Sequence, residues 1–524
     1  AVLVSFAAYL SADPVPDTSE KCVSCQTQVS DLDAIWSNAT TVAEILNNLQ
    51  TECIDKYPEN PQKVKLCKEI ASIYVQIPPS IFKGMDDLAW PVPDGICALL
   101  FKCQMNCCGK EDPPEQVHLS FVTNDHSMMG VSWVTLSDKV SLVQYGQSQH
   151  LMTSIVRGDI TTYLAGSWHG TIHRAVMVDL KPGSTYYYRV GNGERWSEVL
   201  SFTTLSAEQE AQTQSVSYAI LADMDFESNA TMSNLAVLAQ AKKINAVIHS
   251  GDLSYADGYE PHWDVFFRRM QPIISSVPFM TTPGNHEFWF NFTSYKHRLL
   301  LPGDKELVQF LSGNRLSGDD DIQYGSHDGM FYSWTVGPVH FIAANSETAI
   351  DTANFSPSFI SWLEADLASV DRSKVPFIVF HVHRPLYCSN SDRCTSGGGD
   401  LLRSKSEELL MKYKVNLVIQ GHIHSYERTY PMYQSQATSF DYSAPTAPVY
   451  ILQGASGNRE GNDGYPSELP SWSAAHASDV GYGILTASAT ELSFEYYVSH
   501  FNNEGGPVLV DSFTMKPWAT TSKQ

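Results

Sequence analysis

The chain has 524 residues, 43% of them hydrophobic, and at roughly 100–200 residues per domain it holds material for two to four domains with sizeable cores. Its formal net charge of −23 at pH 7 excludes a nucleic-acid binder, which needs a basic face to neutralise phosphates, and no RNA or DNA motif occurs. No apolar run reaches the ~18 residues of a membrane span, so a soluble protein is expected.

Residues 1–14, AVLVSFAAYLSADP, are apolar with small residues near their end, and are read as the last part of a signal peptide rather than as a frayed terminus. Sequons at Asn38, Asn229, Asn291 and Asn354 predict N-glycosylation and fit passage through a secretory route. A secreted, lysosomal or vacuolar location is the expectation.

Eight of the ten cysteines precede residue 109, and six of these are ordered as Cys22-x2-Cys25, Cys53, Cys67 and Cys97-x5-Cys103. Zinc sites show two close pairs or added histidines, whereas residues 22–103 contain no histidine, so disulfides are the better reading. Helical periodicity lies between them, in DLDAIWSNATTVAEILNNL and VKLCKEIASIYVQI. Spacing alone leaves fifteen pairings open. Over about residues 18–110 this pattern resembles the saposin B-like family, a helical, disulfide-stapled domain. The resemblance implies bonds Cys22–Cys103, Cys25–Cys97 and Cys53–Cys67, and either a lipid-binding or a purely structural role. Cys107 and Cys108 fall outside the pattern.

GKEDPPEQ marks a boundary, because paired prolines and charges favour an extended linker. The runs QVHLSFVT, MGVSWVTL, SLVQYGQ, HRAVMVDL, TYYYRVG and EVLSFTTL alternate between turn residues, so residues 113–206 read as an all-β, fibronectin-III-like sandwich. It carries no chemical cluster and is read as a packing module.

From residue 214 the pattern changes to apolar strands, polar loops and helical stretches. VSYAILADMDF supplies Asp223, NAVIHSGDLSY supplies Asp252 and Tyr255, and VPFMTTPGNHEF supplies Asn285, His286 and Glu287. VPFIVFHVHRP supplies His381 and His383, and LVIQGHIHSYERTYP supplies His422 and His424. Strand-end loops of an α/β sheet gather at one edge. Alternation along an extended chain aims His422 and His424 to one side, His381 and His383 to one side, and Asp223 and Asp225 to one side. Each residue alone is an ordinary loop residue. Together, carboxylates, a phenol, an amide and imidazoles suit two metal ions, one hard and trivalent and one borderline and divalent.

The blocks ADMD, GDLSY, GNHE, HVHRPLYCS and GHIH, with GASGNREG and SDVGYG further on, resemble those of the purple acid phosphatases within the calcineurin-like metallophosphoesterases, over about residues 113–516. The resemblance implies an α/β four-layer catalytic domain over 214–516. It implies Fe(III) held by Asp223, Tyr255 and His424, Asp252 as the bridge, and a second ion (Fe, Zn or Mn) held by Asn285, His383 and His422. His383 is chosen over His381 because the family ligand directly precedes the RPLYCS-like stretch. Two cations clamp a phosphate ester and activate water, and His286 is the candidate proton donor to the leaving alcohol. Cys388 and Cys394 are expected to form a disulfide. ADMD has Asp225 where the family has Gly; a second anion would crowd the iron side, so Asp225 is expected to act as a supporting acceptor or helix cap.

The expected function is an acid phosphatase acting on phosphate monoesters, with a lipid surface as a partner through the saposin-like domain. Alternatives are a phosphodiesterase of the acid sphingomyelinase type, disfavoured by Tyr255, and a non-enzymatic lipid-binding protein, disfavoured by a complete ligand set.

Overall fold

The computed structural model describes residues 15–16, 103–109, 112–303, 305–313, 325–326, 328–347, 357–390, 394, 399–500 and 506–518. The expected signal segment, nearly all of the saposin-like region and its three disulfides lie outside the described residues. Contacts divide the chain into two units. In one, Cys103–Asn106 pairs in parallel with Val15–Pro16 and with Trp168–His169, Tyr163 stacks on Trp168 at 4.5 Å, and the Tyr163 hydroxyl donates to buried Glu260 at 2.5 Å.

The other unit holds most of the sandwich and the α/β region. The sandwich strands are β1 (Glu115–Ser120), β2 (Met129–Thr135), β3 (Leu142–Gly146), β4 (Ser154–Arg157), β5 (Asp159–Thr161), β6 (Thr171–Met177), β7 (Thr185–Gly191) and β8 (Leu200–Thr203). They form two four-stranded antiparallel sheets, β1-β2-β6-β5 and β8-β7-β3-β4. The six expected β-rich runs are all strands; β4 and β5 were not anticipated. In β7 the burial pattern iBiBiBB follows the two-residue period, with Tyr186, Tyr188 and Val190 inward.

In the α/β region, β9 (Val216–Leu221), β10 (Ala246–Ser250) and β11 (Phe279–Thr282) run parallel. A second parallel set comprises β13 (Val339–Ala344), β14 (Phe377–Val382), β15 (Leu417–Gln420) and β17 (Val449–Gln453). Antiparallel strands complete both sheets: β12 (Tyr332–Val336), β16 (Tyr426–Thr429), β18 (Ser473–Ala477), β19 (Gly481–Ala487), β20 (Leu492–Val498) and β21 (Val508–Met515). The orders are β11-β10-β9-β19-β20-β21 and β12-β13-β14-β15-β17-β16-β18. Fully buried strands such as VYILQ and FIVFHV read as continuous apolar runs, as parallel strands covered on both faces do.

The sheets face each other through Tyr218, which meets Phe341 edge-on at 4.9 Å and donates to the Val336 carbonyl at 2.6 Å. Outside the seven-stranded sheet lie helices α1 (Pro357–Ser369) and α2 (Gly399–Lys412). Phe359, Trp362, Leu363 and Leu367 recur at helical spacing on α1 and pack, with Leu402 and Leu410 of α2, on Ile342, Ile378, Phe380 and Val418. Each such side chain contributes roughly 1.5–3 kcal/mol by leaving water. Every parallel strand therefore sits in a stiff two-sided core, and its carboxyl end is a fixed platform.

Candidate metal centre

Asp223 follows β9, Asp252 and Tyr255 follow β10, Asn285 and His286 follow β11, His383 follows β14, and His422 and His424 follow β15. All eight are buried. The backbone there is left-handed at four of them, with φ of 57° at Asp223, 57° at Asp252, 49° at Tyr255 and 74° at His422. For residues with a Cβ this costs on the order of 1–3 kcal/mol each and persists only where neighbours fix it.

The neighbours are specific. Met224–Asp225 pairs in parallel with Leu253–Ser254, and the Asp223 amide donates to the Gly251 carbonyl at 3.0 Å. The Glu287 carboxylate accepts the amides of Asp252, Leu253 and Gly284 at 2.8, 2.9 and 2.8 Å. The His422 amide donates to both Asp223 oxygens, at 3.0 and 2.9 Å. A Cβ on Gly421 would lie 2.5 Å from Asp223 Oδ2, and one on Gly284 would lie 2.2 Å from Asp252 Oδ1. Glycine in GHIH and GNHE is thus a requirement of close approach.

These turns correct the expectation from alternation. His422 and His424 do not lie on one strand face: His422 faces His383, ring centres 5.1 Å apart, while His424 Nε2 lies 3.2 Å from the Tyr255 hydroxyl. His381, still within β14, turns into the core against Trp334, and burial pushes its pKa down to about 3. Asp225 accepts the Glu227 amide at 2.6 Å and the Arg459 amide and Nε at 2.9 and 3.3 Å. It caps no helix, since Ser228 precedes helix Asn229–Gln240.

In one half of the site His383 Nδ1 lies 3.0 Å from the Ser250 carbonyl, to which it donates. That assigns a lone pair to Nε2 in the neutral ring, yet Nε2 lies 2.9 Å from Asn285 Oδ1 and 3.1 Å from Asp252 Oδ2. Acceptors facing acceptors repel unless a cation, either a proton carried on Nε2 or a metal ion, lies among them. Asp252, His383 and His422 each place a ligand atom within 4.8 Å of the others. Burial opposes charge on His383, but Asp252, Asp223 and Glu347 outweigh it and push the pKa up to about 9. In the other half a histidine Nδ1 is likewise held by a backbone carbonyl. His424 Nδ1 donates to the Gly461 carbonyl at 2.9 Å, and Nε2 lies 3.6 Å from Asp223 Oδ1. Burial, then the charges of Asp223 and Asp252, push the Tyr255 hydroxyl well above its ordinary pKa, so a phenolate forms there only with a compensating cation.

His286 Nε2 lies 3.7 Å from Asp252 Oδ2 and 3.7 Å from Glu460 Oε1, and its ring is 4.0 Å from that of Tyr255. Glu460, 42% exposed, also reaches within 4.0 Å of His424 Nε2. Neither Glu460 nor Glu347, which pairs with Arg384 beside His422, was singled out in the sequence. Glu347 follows β13, the one parallel strand of that sheet preceding the site whose loop carries no recognisable block. Cys388 and Cys394 are bonded, with Cα atoms 5.4 Å apart, and pack against Ile423 between the two histidines of GHIH. Asn229 and Asn291 are exposed; Asn38 and Asn354 lie outside the described residues.

Two facing sheets whose loops bring acidic, phenolic, amide and imidazole groups to one edge define a metallophosphoesterase. Residues 216–426 match the calcineurin-like phosphoesterase family, 114–204 the purple acid phosphatase N-terminal domain, and 447–507 the iron/zinc purple acid phosphatase-like protein C family. The chain is 32% identical over 402 residues to acid phosphatase type 7 of Danio rerio, covering 71% of this chain and 85% of that one. It is 31% identical over 422 residues to purple acid phosphatase 22 of Arabidopsis thaliana, covering 78% and 87%. The fold matches a purple acid phosphatase from yellow lupin (Lupinus luteus) seeds with a TM-score of 0.62 at 24% identity, covering 77% of this chain and 74% of that one. The chain belongs to the purple acid phosphatase family and is a phosphoric monoester hydrolase of that type, in a family built on a binuclear metal centre.

Proposed function

We propose that the chain is a secreted or lysosome-like acid phosphatase in which Asp223, Tyr255 and His424 hold Fe(III), Asp252 bridges, and Asn285, His383 and His422 hold a divalent Fe, Zn or Mn. The observation that carries this reading is the convergence of Asn285 Oδ1 and Asp252 Oδ2 on His383 Nε2. The hard oxygen donors of Asp223 and Tyr255 favour a trivalent ion, and the amide and imidazoles a borderline divalent one. When bound, the metal pair supplies charge to the phosphate oxygens and acidifies a water.

The chain's own residues do the rest. Glu287 and the Gly284 and Gly421 approaches fix both carboxylates before substrate arrives, so no reorganisation is needed on binding. His286 is held over Tyr255 and beside Asp252, and its Nε2 proton serves the leaving alkoxide. The exposed sequons Asn229 and Asn291 and the Cys388–Cys394 bond support an oxidising, secretory compartment. The cysteine spacing of residues 18–110 supports a saposin-like module that presents the enzyme at lipid surfaces.

The test is hydrolysis of a phosphate monoester, a phosphodiester and sphingomyelin, each with and without anionic liposomes. The expected result is monoester turnover that disappears with metal chelation; preference for a diester or sphingomyelin would refute the monoesterase reading.

A further inference from the structure

Residues 457–463, GNREGND, run beside the Asp223–Tyr255–His424 half of the site and hold one of its groups directly. The Gly461 carbonyl accepts His424 Nδ1 at 2.9 Å, the Asp463 carboxylate accepts the His424 amide at 2.9 Å, and the Asp463 amide donates back to the His424 carbonyl at 2.9 Å. The Gly461 contact places the ring proton on Nδ1, so Nε2, 3.2 Å from the Tyr255 hydroxyl, presents the lone pair. The same stretch brings Glu460 to 3.7 Å from His286 Nε2. Asp225 ties this stretch to the strand ends. Its Oδ2 accepts the Arg459 amide and Nε at 2.9 and 3.3 Å, its Oδ1 accepts the Glu227 amide at 2.6 Å, and its own amide donates to the Gly457 carbonyl at 2.9 Å. Met224 and Gly457 also pair as a parallel bridge, and Gly457, with φ of 106° and Ser228 Oγ 2.8 Å from where a Cβ would stand, admits no side chain without strain. Asp225 is fully buried, so water does not compete for its bonds, and the one from the charged guanidinium is of the stronger, charge-assisted kind.

We propose that Asp225 is a positioning residue: through Arg459 it sets residues 457–463, and through the Gly461 carbonyl it orients His424 toward the metal of that half. The contacts run from Asp225 Oδ2 to the Arg459 amide, two residues on to Gly461, and from there to His424 Nδ1. Gly461 has φ of 85° and open space around it. Glycine has more backbone freedom than any other residue, so a stretch with glycines at 457 and 461 needs outside contacts to keep one arrangement, and the Asp225 carboxylate supplies two of them. A glycine at position 225 would supply neither. The proposal rests on His424 being a ligand in the two-metal reading. Failure of that reading shows in the unaltered protein, as absent metal and no phenolate-to-iron band, whatever happens at Asp225.

The experiment compares full-length protein with Asp225→Gly, Asp225→Asn and Arg459→Met. Amide exchange of residues 457–463 is followed by mass spectrometry in protein stripped of metal by chelation; the affinity for each ion and the visible band of Tyr255 are measured on reloading. Asp225→Gly is expected to exchange faster across 457–463 by about tenfold, the scale of one lost hydrogen bond. It should hold the ion at Asp223, Tyr255 and His424 about tenfold less tightly, the low end of what losing an outer partner of a metal ligand costs, with a shifted band and the His383–His422 ion retained. Asp225→Asn, which keeps an oxygen for the Arg459 amide, and Arg459→Met, which keeps the amide itself, should fall between. Unchanged exchange or unchanged iron-side affinity in Asp225→Gly, or equal loss of both ions, would overturn the proposal. Should Asp225→Gly fail to fold, Arg459→Met decides: faster exchange with selective weakening of the iron side supports the role, and behaviour identical to the unaltered protein refutes it.

Discussion

Two buried histidines, one in the sandwich and one at the strand ends, show what separates a packing residue from a ligand. His173 stacks on Trp133 with ring centres 5.0 Å apart, and its nitrogens meet the Thr135 and Ser141 hydroxyls at 2.8 and 2.7 Å. Hydroxyls donate or accept as required, so the neutral ring is satisfied, and burial pushes its pKa down to about 4. His383 is equally buried but faces a carboxylate and an amide oxygen, and is pushed up to about 9 despite burial. Burial alone says nothing about function. What marks the site is burial among oxygen acceptors that favour a cation at the ring nitrogen.

The largest effect expected from this contrast is at Asp252, the carboxylate that sets the charge around His383. Asp252→Asn should lose metal and reduce kcat/KM by more than the roughly 10–100-fold typical of removing an outer partner of a metal ligand. Elemental analysis with steady-state kinetics checks it. Glu287→Gln comes next. It weakens the carboxylate that holds the Asp252, Leu253 and Gly284 amides, and should cost about 10–100-fold in metal affinity or activity while the fold persists.

His381 sharpens the comparison, being a buried histidine two residues from His383 but of the packing kind. His381→Phe should leave metal content intact and activity within about threefold, with stability changed by on the order of 1 kcal/mol. Metal loss equal to that of His383→Ala would show the two to be misassigned.

The effect furthest from the chemistry, expected to leave turnover untouched, is the pH response of His173. Its folded pKa, about 4, lies below the ordinary 6.5, so between these values the unfolded chain binds a proton that the folded one refuses. Stability from this group is full above pH 6.5 and falls as pH drops toward 4, by about 3 kcal/mol at 1.36 kcal/mol per pH unit. Denaturant unfolding at pH 7 and pH 4 should therefore show a smaller acid-side loss in His173→Gln than in the unaltered protein.

Much of this was legible in the sequence, because apolar strands that end in Asp, Asn or His cannot hide their polar ends in a core. What alternation misjudged was direction. The positive φ at Asp223 and His422 breaks the two-residue period at the point where the chain leaves the strand, sending His422 and His424 to different halves of the site. Glu347 escaped notice because NSE after β13 reads as an ordinary polar turn, and only tertiary structure brings it to Arg384. Strand β4 escaped because it lies at a sheet edge with the pattern eeie, leaving no buried face to impose alternation.

The central claim is that these strand ends hold two metals in distinct halves that share Asp252. Anomalous diffraction from crystals of the purified protein, collected at the iron edge and at the edge of any second metal found, tests it most directly. The account predicts two peaks, one among Asp223, Tyr255 and His424 and one among Asn285, His383 and His422, with Asp252 touching both. A single peak, or a peak bound to His381, would contradict it.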